Sequence, residues 1–158
     1  MSSSETVLKV QDLKKHFPVL KGVLSRVVGY VYAVDGVSFE IRRGETLCLV
    51  GESGCGKSTV AKTVMRLQEP TAGTVELNGT DITKLDQEEL RAHRRQMQIV
   101  FQDPYSSLNP RMSAGAIVSE PLTNFGIAAG PELEERVARL FERVGLRADA
   151  MEKYPHEF

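Results

Sequence analysis

Apolar positions alternate with polar ones near the start of the chain and recur at helical spacing near its end, and that change of period divides the sequence. Val7-Leu8-Lys9-Val10 predicts an opening strand, and Ala33 to Ile41 predicts a second, with period-two alternation at Val37, Phe39 and Ile41. Residues 18 to 32, apolar and basic, are expected to be a loop between them. Thr46-Leu47-Cys48-Leu49-Val50 is an apolar run that predicts a third strand, followed by a helix over Thr59 to Leu67. Thr74-Val75-Glu76-Leu77 predicts a strand that ends in an Asn78-Gly79 turn. Asp86 and Glu89 have the spacing of a capping box for a short helix, and Met97 to Phe101 predicts another strand. Beyond it the pattern is helical. Ile117, Val118, Leu122 and Phe125 share a helical face, which Pro121 is expected to kink or shorten. Leu133, Val137, Leu140, Phe141 and Val144 predict a helix from Pro131 to about Val144, with Gly145 at its end.

Composition narrows the class only slightly. The 158 residues have the size of one domain, and 41% hydrophobic with 26% charged residues is ordinary for a globular protein. A formal charge of -1 gives no footprint for nucleic acid. Cys48 and Cys55 are too few for a disulfide framework, so a reducing compartment is expected. No apolar run approaches the ~20 residues that cross a bilayer, and the polar first five residues lack the plan of a signal peptide. The expectation is a soluble chain whose membrane role, if it has one, comes through a partner.

Candidate chemistry centres on Gly51-Glu52-Ser53-Gly54-Cys55-Gly56-Lys57-Ser58, which fits GxxxxGKS at every fixed position, after a predicted strand and before a predicted helix. A triphosphate needs inward-pointing backbone donors, a fixed cation and a place for a metal. Gly51, Gly54 and Gly56 permit the backbone angles that turn successive N-H groups inward, with Ser53 and Cys55 between them. The helix start adds unpaired N-H groups and the positive end of its dipole. Lys57 can then reach the β- and γ-phosphates, the Ser58 hydroxyl can ligand Mg²⁺, and Thr59 adds a hydroxyl near the α-phosphate. Cys55 is read equally as a reactive thiol at a helix start or as a passive small residue. Arg91, Arg94 and Arg95 suit the C-terminal end of their helix, with an anion site as the rarer alternative.

The loop alone leaves kinases, GTPases and transport ATPases open. Phe101-Gln102-Asp103-Pro104-Tyr105-Ser106-Ser107-Leu108-Asn109-Pro110-Arg111 resembles the Q-loop region of ABC transporter ATP-binding subunits, specifically those of oligopeptide and dipeptide importers. GESGCGKST, AVDGVSFEIRRGE, SEPL and the final YPHEF are similar to the same group. The resemblance implies an α/β fold: a P-loop NTPase (RecA-like) core with an N-terminal antiparallel β part and a C-terminal helical subdomain, as an incomplete ABC nucleotide-binding domain. It implies a nucleotide-binding core over residues 1–102 and a helical subdomain over 103–158 that docks on a membrane subunit. It makes Gln102 the residue that contacts the metal and the attacking water, and Phe17 the aromatic that stacks on adenine, with Tyr30 and Tyr32 competing.

Phe158 matches the residue just before the family's Ser-Gly-Gly-Gln signature. No acidic pair that holds Mg²⁺ and no switch histidine is identified, since His16, His93 and His156 are not placed to supply one. The implied partners are a second ATP-binding subunit, identical or not, transmembrane permease subunits and, indirectly, an extracytoplasmic substrate-binding protein, at the cytoplasmic face of the membrane. The expected function is to bind MgATP and drive import of oligopeptides or dipeptides, with little hydrolysis by this chain alone. Two alternatives stay open: a non-hydrolysing regulatory nucleotide-binding fragment, and a small P-loop kinase.

Overall fold

In the computed structural model, which describes residues 5–22, 25–103 and 105–158, the chain divides into two compact units, residues 1–99 and 100–158. The first is built on an antiparallel sheet of order β2-β1-β3-β4, formed by β1 (Thr6–Lys21), β2 (Arg26–Arg42), β3 (Ala72–Leu77) and β4 (Thr80–Asp81). Pairing runs Val10 against Phe39 on one side and Val10 against Val75 on the other. Alternation therefore sends Val10, Val75 and Leu77 into one core with Leu13 and Val34. Helix α1 (Lys57–Val64) adds Val60 and Val64 to that core, and α2 (Gln87–Arg94) adds Leu90.

The turns follow from local chemistry. Asn78 (φ 48°) and Gly79 (φ 82°) make the two-residue connection between paired Leu77 and Thr80, the positive-φ geometry that suits the twist of a hairpin. At the start of α2 the Asp86 carboxylate accepts from the N-H groups of Glu88 and Glu89 (2.9 Å each), while Glu89 accepts from the Asp86 N-H (3.0 Å). The capping box read from the sequence is present.

Three expectations are corrected. Residues 18 to 32 do not form a loop: β1 and β2 continue into a long hairpin, with Pro18 opposite Tyr30, Leu20 opposite Val27 and Lys21 opposite Arg26. Valine and tyrosine are strand formers, and the partner strand that realises this propensity is not visible from composition. Thr46–Val50 and Met97–Phe101 lie in no ladder among the described residues, and Val50 and Val100 are 89% and 82% exposed. An apolar run becomes a strand only when a neighbour takes up its N-H and C=O groups, and none of the described segments does so here. Pro121, expected to kink or shorten its helix, lies inside it.

In the second unit, α3 (Ala114–Asn124) starts on Ser113, whose hydroxyl accepts from the Ala116 N-H (3.3 Å), and runs three residues past Pro121. Helix α4 (Gly130–Arg143) follows the predicted span. It stops at Gly145 (φ 77°): the Gly145 N-H reaches Glu142 O and the Leu146 N-H reaches Phe141 O, 3.0 Å each. This double closure is the Schellman ending that glycine permits. Val137 and Phe141 pack with Ala150, flanked by Val118 and Leu122.

Candidate functional site

The glycine loop is shaped by what each glycine allows. Gly54 (φ 84°) and Gly56 (φ 95°) both lie where side chains are disfavoured. A Cβ on Gly56 would stand 2.1 Å from the Ala33 carbonyl oxygen, so only glycine lets the loop lie against β2. A Cβ on Gly51 would stand 2.6 Å from the Cys55 sulfur. The Cys55 N-H donates to Glu52 O (3.3 Å), and the Gly56 carbonyl accepts the first helical bond, from the Val60 N-H (2.8 Å).

Lys57 turns back over this loop. Its ammonium donates to the carbonyls of Gly51 (2.7 Å) and Glu52 (2.6 Å) and lies 3.5 Å from the Cys55 sulfur. Among the described residues, the N-H groups of Lys57, Ser58 and Thr59 have no acceptor, as the first turn of a helix requires. A cation and a row of orphan donors thus meet at one helix start. An oxyanion brought there finds a charge partner and several N-H donors in place, which is the donor set that phosphate needs.

Behind the loop, α1 is anchored by buried Val60 and Val64 and by Thr63, fully buried, whose hydroxyl donates to Thr59 O (2.7 Å). Arg66, which the sequence reading passed over, closes the far end of the helix. Its guanidinium is buried and donates to Ile82 O (2.8 Å), Leu85 O (2.7 Å) and the Glu69 carboxylate (2.7 Å). The arginine so ties the end of α1 to the connection between β4 and α2. The sequence signal was Glu69 three residues on, a spacing that turns and helices share. In that connection, burial pushes the Asp81 carboxyl upward, but hydrogen bonds from the Thr83 hydroxyl, Lys84 and the Thr83 N-H outweigh it, and it lies below the usual carboxylate range. Arg94 is used locally, donating to Gln87 Oε1 (3.4 Å) and Arg66 O (3.5 Å).

Gly51, Ser53, Gly54, Cys55 and Gly56 in the loop and Lys57, Ser58 and Thr59 at the start of α1 therefore lie in one local segment. Phe17 is half-buried on β1 opposite Val31, two positions from Ala33, with the Lys15 ammonium 5.0 Å from its ring centre. Tyr32 packs edge-on against His16 (4.4 Å), whose ring nitrogen meets Asp35 at 3.0 Å, and Tyr30 is exposed.

Gln102 belongs to the second unit, exposed at a bend. Just after it, the Asp103 carbonyl accepts from the hydroxyls of Ser106 (3.0 Å) and Ser107 (3.3 Å). An apolar groove in the same unit is lined by Tyr105, Leu108, Ile117, Val118, Phe141 and Phe158. Among the described residues, no group of three or more His, Cys, Asp or Glu side chains stands ready for a metal, and no helix is long and apolar enough to cross a membrane. A metal at the loop would take phosphate oxygens as its main ligands, with one or two groups from the chain, as Mg²⁺ commonly does.

Comparison with known proteins agrees with this geometry. The chain is 51% identical over 154 residues to a probable peptide ABC transporter ATP-binding protein, y4tS, of Sinorhizobium fredii, covering 98% of this chain and 44% of that protein. It is 48% identical over 158 residues to the oligopeptide transport ATP-binding protein AppF of Bacillus subtilis, covering 99% of this chain and 48% of the relative. It thus spans about half the length of these two curated relatives. Among solved structures, the dimeric ATP-binding cassette MJ0796 in a post-hydrolysis state with ADP and Pi superposes with a TM-score of 0.76 at 27% identity, covering 96% of this chain and 62% of that one. Residues 34–158 match the family described as ABC transporter, and with these relatives that leads to one conclusion: this chain belongs to the ABC transporter family.

Proposed function

We propose that this chain is part of the ATP-binding, energy-coupling subunit of an ABC importer, and that residues 51–59 bind the phosphates of ATP together with Mg²⁺. One observation carries the reading: the Lys57 ammonium is held by two carbonyls at the mouth of a loop whose following N-H groups have no acceptor among the described residues. Lys57 exchanges those carbonyls for phosphate oxygens, and Ser58 offers its hydroxyl to the metal. Bound Mg²⁺ supplies charge neutralisation between phosphoryl oxygens. Phe17 faces the adenine, and Gln102 carries the nucleotide state toward the membrane partner.

Residues 1–102 then act as the nucleotide-binding core and 103–158 as the helical part whose apolar groove docks on a permease. A second ATP-binding subunit completes the working pair, at the cytoplasmic face of the membrane, and a substrate-binding protein selects the cargo. Peptide is the favoured cargo, since two relatives are named for peptide and oligopeptide transport; glutathione stands next, since a third, the glutathione import protein GsiA of Escherichia coli O157:H7, is 48% identical over 98% of this chain and 25% of its own length.

The test is Lys57→Ala, read by equilibrium binding of labelled ATP with circular dichroism as a folding control. Binding falls on the order of a hundredfold or more, as expected for loss of a charge-assisted contact to phosphate. Unchanged affinity in a folded variant would remove the assignment.

A further inference from the structure

Beyond the nucleotide site, the far part of the β1–β2 hairpin has a shape and charge that the ATP-binding role does not use. Past Lys14, β1 no longer pairs with β3, and from Phe17 to Lys21 its one neighbour among the described residues is β2. The result is a two-stranded ribbon roughly 17 Å long at the usual rise per residue. Cross-strand partners share a face. Leu20 with Val27, and Pro18 with Tyr30, lie on one face; Val19 with Gly29, Phe17 with Val31, and Lys21 with Arg26 lie on the other.

Both faces expose apolar side chains, and the second also carries the two cations. Leu20 is 56% exposed and Tyr30 54% on the first, and Val31 is 55% exposed on the second. A folded partner with a rigid groove covers one face of a ribbon, whereas a fluid interface surrounds both. Charge gives the second, independent indication. From Leu13 to Val34 the sequence holds Lys14, Lys15, Lys21 and Arg26 and no Asp or Glu. Lys14 is paired with Asp12 and Lys15 with the Glu69 carbonyl, but Lys21 and Arg26 stand directly opposite one another, with no ion pair among the described residues. Like charges at directly opposed positions destabilise a hairpin unless an anion lies between them.

We infer that this ribbon is a membrane-contact element that dips its apolar side chains into an anionic lipid surface, with Lys21 and Arg26 on the phosphate headgroups. Tyrosine at the border and apolar residues flanked by cations are the composition that favours such an interface. Phe17, assigned above to the adenine, is half-buried at the base of the ribbon and is not part of this contact, which gives the chain a direct hold on lipid besides any permease.

Flotation of the full chain with vesicles of phosphatidylcholine containing phosphatidylglycerol, against phosphatidylcholine alone, tests this at about 0.1 M salt. The chain floats with the anionic vesicles, and K21E/R26E lowers that partition by at least about twentyfold, at roughly fivefold per cation removed from the surface. The sequence has no tryptophan, so Leu20→Trp places a single reporter on the ribbon. Its emission shifts to the blue with anionic vesicles and not with neutral ones. Equal flotation with both vesicle types, no flotation, or flotation without a shift at Leu20→Trp each overturns the inference; in the last case another surface holds the lipid. A retained thermal transition and labelled-ATP affinity in K21E/R26E show that the charge change did not act through folding.

Discussion

The glycine loop meets the base of the hairpin where the Ala33 carbonyl abuts Gly56, yet the loop and the ribbon farther along that hairpin are held in opposite ways. The loop takes its shape over a few consecutive residues: glycines at positive φ, one N-H to Glu52, and a helix start whose donors stay open. The ribbon takes its shape from pairing between two strands, with partners such as Pro18 and Tyr30 twelve positions apart, and contributes no buried side chain beyond Leu13 on β1 and before Val34 on β2. A local device is sensitive to one atom. A paired ribbon that packs on nothing is not, and substitution should treat the two very differently.

The largest effect is expected where the loop meets the hairpin. Gly56→Ala places a methyl 2.1 Å from backbone oxygen at a positive φ, so the loop must move, and labelled-ATP binding is lost with a fall of several degrees in Tm. ATP binding equal to wild type would show that the loop is not held by β2. Next, Leu13→Ala, at a fully buried position just before the ribbon begins, should cost about 2–5 kcal/mol in denaturant unfolding; a cost under about 1 kcal/mol would mean that the sheet core is looser than its burial indicates.

By contrast, replacing residues 19–29 with Asn-Gly keeps Pro18 opposite Tyr30 and removes most of the ribbon. Stability then shifts by no more than about 0.5 kcal/mol, because the described side chains lost there are exposed. A larger loss would show that the ribbon braces the loop and would erase the contrast. The smallest effect concerns pH. The Asp81 carboxyl is lowered in the fold, so its contribution is complete above the ordinary value of 3.8 and is lost as pH falls through the lower folded value. The Tm difference between wild type and Asp81→Asn should therefore be constant near neutrality and shrink below about pH 4. A difference that grows in acid would give the shift the opposite sign.

Similar patterns had different outcomes elsewhere in the chain. Thr74–Leu77 alternates polar and apolar positions and Thr46–Val50 is a continuous apolar run, and both patterns predict strands; the first lies in β3, with Val75 fully buried, and the second joins no ladder among the described residues. Leu77 has Leu8 opposite it, and Val50 has no partner strand among the described residues. Arg66 makes the same point for the site's support. Its three-way hold on Ile82, Leu85 and Glu69 depends on residues up to nineteen positions away, and only the fold brings them within reach.

What the sequence determined by itself is the local chemistry: the glycine loop with Lys57 and Ser58, the Asp86 capping box, the Asn78-Gly79 turn and the glycine ending of α4. In each, donors and acceptors lie within a few residues, so spacing alone settles the geometry. Tertiary structure decided which apolar runs became strands, that residues 18 to 32 form a ribbon, and that Arg66 is buried. Those outcomes turn on a partner distant in the chain, whose hydrogen bonds and apolar contacts must first offset the entropy of bringing the two together.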